Sequence, residues 1–219
     1  MIKLVAFDLD GTIADTLQLC IRSLRQAISS VSPQVTDEDV IKTFGLNEEG
    51  MIEKLVADKD RDKVLQAFYA CYSNLHPTMC PRPFVGIRKH ISELRENGII
   101  VALVTGKGEC SCNITLRQFD MLDSFDKVLT GSAERNIKAD ALAGLSKLYQ
   151  IPPDEMVYVG DTISDVTESK KVNVQCLSAA WNDISIEPVL QEVDEGNIFR
   201  SIHSLAKYLS NRCNIILTP

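Results

Sequence analysis

The stretch Ile2-Lys3-Leu4-Val5-Ala6-Phe7-Asp8-Leu9-Asp10-Gly11-Thr12 decides the reading of this chain. Ile2–Phe7 is an apolar run with the length and composition of a buried strand. Asp8 and Asp10, two residues apart, point to the same side of an extended backbone, while Leu9 points the other way, towards a core. Two carboxylates at a strand tip repel each other, and a bound cation is their natural partner. Gly11 permits the sharp turn that follows. Asp-Gly is also a hairpin signal. A hairpin, however, needs a second strand directly after the turn, and Ala14-Asp15-Thr16 instead leads into a helical pattern.

Four more apolar runs read as core strands: Ile99–Thr105, Phe125–Leu129, Met156–Val159 and Val174–Leu177. The second run of the chain and the fourth are nearly continuous and rich in β-branched residues, as expected of strands buried on both faces of a parallel sheet. Helical faces fall between them. Phe84, Ile87, Ile91 and Leu94 recur at three- and four-residue steps, with Gly98 placed to cap the C-terminus. Leu142, Leu145, Leu148 and Tyr149 make a second face. Strands alternating with helices predict an α/β fold with a doubly wound, Rossmann-like parallel sheet that binds ligands at the carboxyl ends of its strands.

One interval departs from the alternation. From Asp15 to Met79 no strand is evident. Leu17, Ile21, Leu24 and Ile28 mark one amphipathic helix, Thr36 and Asp39 form a capping box for the next, and Met51 with Leu55, then Val64, Leu65, Phe68 and Tyr72, mark two more. Pro77, Pro81 and Pro83 suit a stiff return linker. The expected organisation is an α/β core over residues 1–14 and 83–219, with a small all-helical cap over 15–82 inserted after the first strand. A tail helix is expected over Ile198–Leu209.

The candidate chemistry lies at strand ends. Asp161 stands at the tip of the fourth strand beside Gly160, and Asp165 is about one helical turn further on. Alone, Asp161 reads as a helix-start acid; with Asp8 and Asp10 nearby, a shared magnesium site is the better reading. Thr105 ends the second strand ahead of Gly106, so a hydroxyl and a backbone N–H meet one phosphate oxygen. Lys138 supplies a point charge to the same group, although a lone lysine is ordinarily solvated. Gly11 and Thr12 join the substrate-binding set.

The chain has 219 residues, is 45% hydrophobic and carries a formal charge of -7, which speaks against non-specific nucleic-acid binding. No apolar stretch reaches the roughly 18 residues of a spanning helix, and acids follow the apolar start at once, so a soluble cytoplasmic protein with no membrane partner is expected. Seven irregularly spaced cysteines fit reduced thiols. Cys110 and Cys112 read as small residues at a helix start. His76, His90 and His203 lack metal-ligand spacing. Trp181 reads as core packing.

With these residues in place, the sequence resembles the haloacid dehalogenase superfamily of aspartate-nucleophile phosphotransferases. Asp8–Thr12 is similar to its DxDGT motif, Thr105 to its lone hydroxyl residue, Lys138 to its lysine and Gly160–Asp165 to its GDxxxD motif. The helical interval resembles the cap of the phosphoglycolate-phosphatase-like branch. The resemblance implies that Asp8 attacks phosphorus and that Asp10 protonates the leaving oxygen and later deprotonates water. It implies that Mg2+ is held by Asp8, the Asp10 carbonyl and Asp161, with Asp165 acting directly or in support. Catalysis would reside at Asp8, Asp10, Thr105 and Lys138. Lys138 is followed by Ala where many relatives have Pro, and the segment after Asp165 lacks their usual Ala and Gly. These departures weaken transfer of any one substrate.

The expected function is hydrolysis of a small phosphorylated metabolite by a monomer or weak homodimer. The alternatives are a pyrophosphatase, a sugar-phosphate mutase, which lacks a cap arginine or histidine in Thr43–Glu49, a phosphonate hydrolase using Lys42 or Lys54, and a non-catalytic phosphate-binding regulator.

Overall fold

A computed structural model describes residues 1–182 and 193–215. Its centre is a six-stranded, wholly parallel sheet: β1 (Leu4–Phe7), β2 (Ile100–Val104), β3 (Lys127–Leu129), β4 (Met156–Gly160), β5 (Gln175–Ala179) and β6 (Ile198–Phe199), in the order β3-β2-β1-β4-β5-β6. β1 lies between β2 and β4, with Phe7 opposite both Leu103 and Val159. The strand order reverses between β1 and β4, which is the crevice where open α/β sheets bind ligands.

Residue alternation on the strands explains the two layers. Val5, Phe7, Val101, Leu103, Val157 and Val159 face one side, where they pack with α5 (Ile87–Glu96) and the C-terminal helix α9 (Ile202–Cys213). Leu4, Ala6, Ala102, Val104, Met156 and Tyr158 face the other, against Leu142 and Leu145 of α7 (Lys138–Tyr149). Both sets are buried, so the strands read as continuous apolar runs. Each fully buried large aliphatic contributes roughly 1.5–3 kcal/mol. Among the described residues the remaining flanking helices are α6 (Glu109–Gln118), between β2 and β3, and α8 (Ile163–Lys171), between β4 and β5.

Four helices separate β1 from α5: α1 (Leu17–Ile28), α2 (Asp37–Ile41), α3 (Glu48–Leu55) and α4 (Arg61–Met79). The Thr36–Asp39 capping box of α2 forms as expected. α1 packs along α4, burying Leu24, Ile28, Val64, Phe68 and Tyr72. The exit of this helical insert is tied to its entrance, because the Phe84 N–H donates to the Ile13 carbonyl at 2.9 Å.

Three expectations need correction. Pro77 lies inside α4, not in a return linker; lacking an N–H it removes one i→i−4 bond from the last turns of the helix, which nevertheless continues to Met79, and the Cys80 N–H reaches the His76 carbonyl at 2.9 Å. The tail helix begins at Ile202, with Ser201 as its N-cap, and not at Ile198. Ile198 and Phe199 instead extend the sheet, since the open edge of β5 offers unpaired backbone groups. β3 is shorter than the apolar run Phe125–Leu129, because the Asp126 carboxylate accepts the Val101 N–H at 2.8 Å. Among the described residues no helix is long and apolar enough to cross a membrane.

Candidate active site

The backbone delivers the carboxylates first. The Asp8 N–H continues the β1–β4 ladder by donating to the Val159 carbonyl at 2.8 Å, so Asp8 leaves the sheet beside the end of β4. The Asp8 side chain is buried. Its Oδ1 accepts the Leu9 N–H at 2.8 Å and its Oδ2 accepts Lys138 Nζ at 2.8 Å. Lys138, at the start of α7, is buried as well and also reaches Asp165 Oδ1 at 2.5 Å. The solvated-lysine reading is therefore overturned.

Asp165 belongs to α8 and has no exposed surface. Its Oδ1 takes Lys138 Nζ and the Tyr158 hydroxyl, the latter at 3.0 Å. Its Oδ2 takes the Thr162 N–H and hydroxyl at 2.9 and 2.7 Å, closing a capping box on α8. All four acceptor positions of this carboxylate are filled by protein donors. Asp161 differs: among the described residues the side-chain donor to its carboxylate is the Thr12 hydroxyl, at a long 3.3 Å from Oδ1. The Thr12 carbonyl in turn accepts the Trp181 indole N–H at 3.1 Å, so Trp181, packed against the core as expected, also braces the site loop. Gly11 has φ +77°, and a Cβ there would collide with the Asp161 carboxylate. Only glycine fits this approach.

The electrostatics separate the acids. Burial pushes Asp8 up to about 6, with Asp165 and Asp10 adding to the rise and Lys138 opposing it. Burial, Asp165 and Asp8 push Asp161 well above the usual carboxylate range. For Asp165 burial also opposes ionisation, but Lys138 and the Thr162 donors outweigh it and hold the group below its ordinary value. One oxygen each from Asp8, Asp161 and Asp165 lie within 4.8 Å of one another. Hard oxygen donors, a crowded negative charge and an under-bonded Asp161 fit a small divalent cation.

Asp10 stands at the open side, its side chain 29% exposed. Its Oδ1 accepts the Thr16 hydroxyl. Thr16 occupies the N-cap position of α1 but does not bond the helix with its side chain. The same Oδ1 lies 3.3 Å from Lys107 Nζ. Thr105 is buried at the end of β2, and its Oγ1 accepts the Lys107 N–H at 3.2 Å. Gly106 abuts Gly131, whose N–H bonds the Lys107 carbonyl at 2.8 Å. Thus Asp8, Asp10, Gly11, Thr12, Thr105, Gly106, Lys138, Asp161 and Asp165 all gather at or just beyond the C-terminal ends of β1, β2 and β4.

Sequence reasoning placed Lys107 in the strand-end patch Thr105-Gly106-Lys107 without giving it a role of its own, and missed Glu48. Glu48 stands at a helix start among other polar residues, with no motif or spacing to mark it. The insert's Lys42 is exposed and pairs with Asp39; Lys54 is exposed. Cys110 and Cys112 sit in the first turn of α6 as free thiols.

A doubly wound parallel sheet with aspartates at the tips of two adjacent strands and a helical insert after the first defines a class of α/β hydrolases. The sequence gives the family: residues 5–179 match the model for haloacid dehalogenase-like hydrolases, and the chain belongs to that family. It is 30% identical over 197 residues to a phosphoglycolate phosphatase of Vibrio vulnificus, covering 81% of this chain and 82% of that one. It is 25% identical over 183 residues to pyrophosphatase PpaX of Bacillus cereus, covering 82% and 84%. A haloacid dehalogenase-like family hydrolase from Streptococcus pneumoniae has the same fold, with TM-score 0.73 and 19% identity over 95% of this chain and 98% of that one.

Proposed function

We propose that this chain is a magnesium-dependent phosphatase that hydrolyses a small phosphate monoester through an aspartyl-phosphate on Asp8. The observation that carries the reading is the buried Asp8–Lys138–Asp165 cluster beside an under-bonded Asp161. Lys138 holds Asp8 in one orientation from behind. An Asp8 oxygen then forms a bond to phosphorus as the bond from phosphorus to the leaving oxygen breaks. Asp10, protonated, gives its proton to that oxygen. As a carboxylate it then takes a proton from the water that attacks phosphorus, which frees Asp8 and releases inorganic phosphate.

Asp8, Asp161 and the backbone carbonyl of Asp10 would hold the ion, and Asp165, its oxygens already bonded, would support them through Lys138 and Thr162. Bound there, magnesium neutralises charge on the transferring phosphoryl group. Thr105 and the Gly106 N–H bind its peripheral oxygens. The Vibrio relative's name makes phosphoglycolate the first candidate monoester, and the Bacillus relative's name makes pyrophosphate, an anhydride, the alternative substrate.

The test is hydrolysis of 4-nitrophenyl phosphate with and without magnesium, by wild type and Asp8→Asn, followed by a panel of phosphoglycolate, sugar phosphates, nucleotides and pyrophosphate. Turnover that needs magnesium and vanishes in Asp8→Asn is expected. A folded wild type silent on the whole panel would leave a phosphate-binding regulator as the better reading.

A further inference from the structure

Lys107 is a buried lysine that the scheme above does not use, although it faces one of that scheme's reacting groups. Its Nζ lies 3.3 Å from Asp10 Oδ1, 3.8 Å from Glu48 Oε1 and 4.8 Å from the centre of the Tyr72 ring. Its backbone is fixed from both ends, by Thr105 Oγ1 at its N–H and Gly131 at its carbonyl. Glu48 and Tyr72 come from the helical insert, through α3 and α4; Lys107 and Asp10 come from the strand ends.

Glu48 is itself buried. Its Oε2 accepts the Gly108 N–H at 2.8 Å and its Oε1 accepts the Ser111 hydroxyl. The insert thus seats a carboxylate on the N-terminus of α6, where an anion is favoured. Asn47 beside it adds two further ties to the core, its N–H to the Ser132 carbonyl at 3.0 Å and its Nδ2 to the Gly131 carbonyl at 3.4 Å.

The two buried lysines divide the site. Lys138 bonds Asp8 and Asp165, groups of the strand ends and α8. Lys107 spans the seam between insert and core. At Asp10 both Lys107 and Thr16 address Oδ1, which leaves Oδ2 to exchange a proton with the leaving oxygen or with water. A carboxylate pinned at one oxygen has lost most of its rotational freedom before the reaction begins.

We infer that Lys107 is a positioning residue for Asp10, held in place by Glu48, so that seating the insert on the core and orienting the proton-transferring carboxylate are one event. This rests on the phosphatase reading above.

The test uses kcat/KM for phenyl, 4-nitrophenyl and 2,4-dinitrophenyl phosphate with magnesium. This ratio reports the steps up to rupture of the bond from phosphorus to the aryl oxygen. Phenolate needs the proton from Asp10 as it leaves; dinitrophenolate does not. Lys107→Met is expected to lower kcat/KM on phenyl phosphate by about 100-fold and on the dinitrophenyl ester by less than about 10-fold. Lys107→Arg should restore part of the loss. Glu48→Gln should steepen the leaving-group dependence in the same direction, and the double variant should be no steeper than Lys107→Met, because one chain of contacts is broken once.

Equal losses on all three esters would overturn the inference, leaving Lys107 a structural or phosphate-binding group. Should Lys107→Met fail to fold by circular dichroism, Glu48→Gln alone decides, since an unchanged slope in that variant also overturns it. A wild type with no turnover on any phosphate ester refutes the phosphatase reading and the inference with it; a wild type that turns over while the variants keep its slope refutes the inference alone.

Discussion

An ammonium group out of water needs counter-charges within reach, and Lys138 has two, Asp8 Oδ2 and Asp165 Oδ1. Burial works against its charge, but the two aspartates raise its pKa above that of an ordinary lysine, so it stays charged at any working pH. Removing one partner of such a group leaves the other charges buried and unpaired. Lys138→Met is therefore expected to lose about 3–5 kcal/mol of stability in magnesium-free buffer, and about 100- to 1000-fold in kcat. Denaturant unfolding checks the first and 4-nitrophenyl phosphate turnover the second. Wild-type stability in the variant would show that Lys138 carries no structural charge. None of this was legible from Lys138 in the sequence. The lysine alone reads as solvated, and only its company with DxDGT and GDxxxD pointed inward. Asp161 and Asp165 were legible as a pair, but not their division of labour, which depends on which oxygens are already bonded.

At the scale of elements, α3 shows how a helix can be built for its neighbour and not for itself. Gly50 lies in its first turn region, where alanine would ordinarily favour the helix by about 1 kcal/mol. A Cβ at Gly50 would run into the backbone of Ala133 on the core loop. Gly50→Ala is thus expected to lift α3 from its seat, weakening the contacts of Asn47 and Glu48 across the seam. The expected result is a lower kcat/KM with little change in melting temperature, because the helix gains what the interface loses. An unchanged kcat/KM would show that the seat is not needed for turnover. The helices themselves were readable, because apolar spacing on α1, α4, α5 and α7 and the Thr36–Asp39 box are local signals. β6 was not. Two apolar residues carry no period, and their strand state follows from the free edge of β5 rather than from their own preferences.

For the whole molecule, strand order decides where function sits. The reversal between β1 and β4 brings Asp8 and Asp161 together from positions 153 residues apart, and the sequence disclosed this because each motif follows its own apolar run. The contact of Glu48 with Gly108, 60 residues apart, left no such trace, since it joins a helix start to a loop without periodicity. The same global packing sets the acid limit of stability. His90 lies in the buried stripe of α5 with Ile87, Ile91 and Leu94, and among the described residues neither ring nitrogen has a hydrogen-bond partner. Burial pushes its pKa from 6.5 down to about 4, with Glu93 drawing it part of the way back. A folded-state pKa below the unfolded one means the unfolded chain binds the proton first. The neutral form therefore supports folding fully above pH 6.5, and this support is lost as pH falls from 6.5 towards 4. The span corresponds to at most about 3 kcal/mol. In His90→Leu the unfolding free energy should fall less between pH 7 and pH 4 than in wild type, by up to that amount. The buried His76, also shifted down by desolvation, is retained in both proteins and drops out of the difference. Urea unfolding across this range measures it, and parallel pH profiles for the two proteins would show that His90 titrates in the folded state as freely as in the unfolded chain.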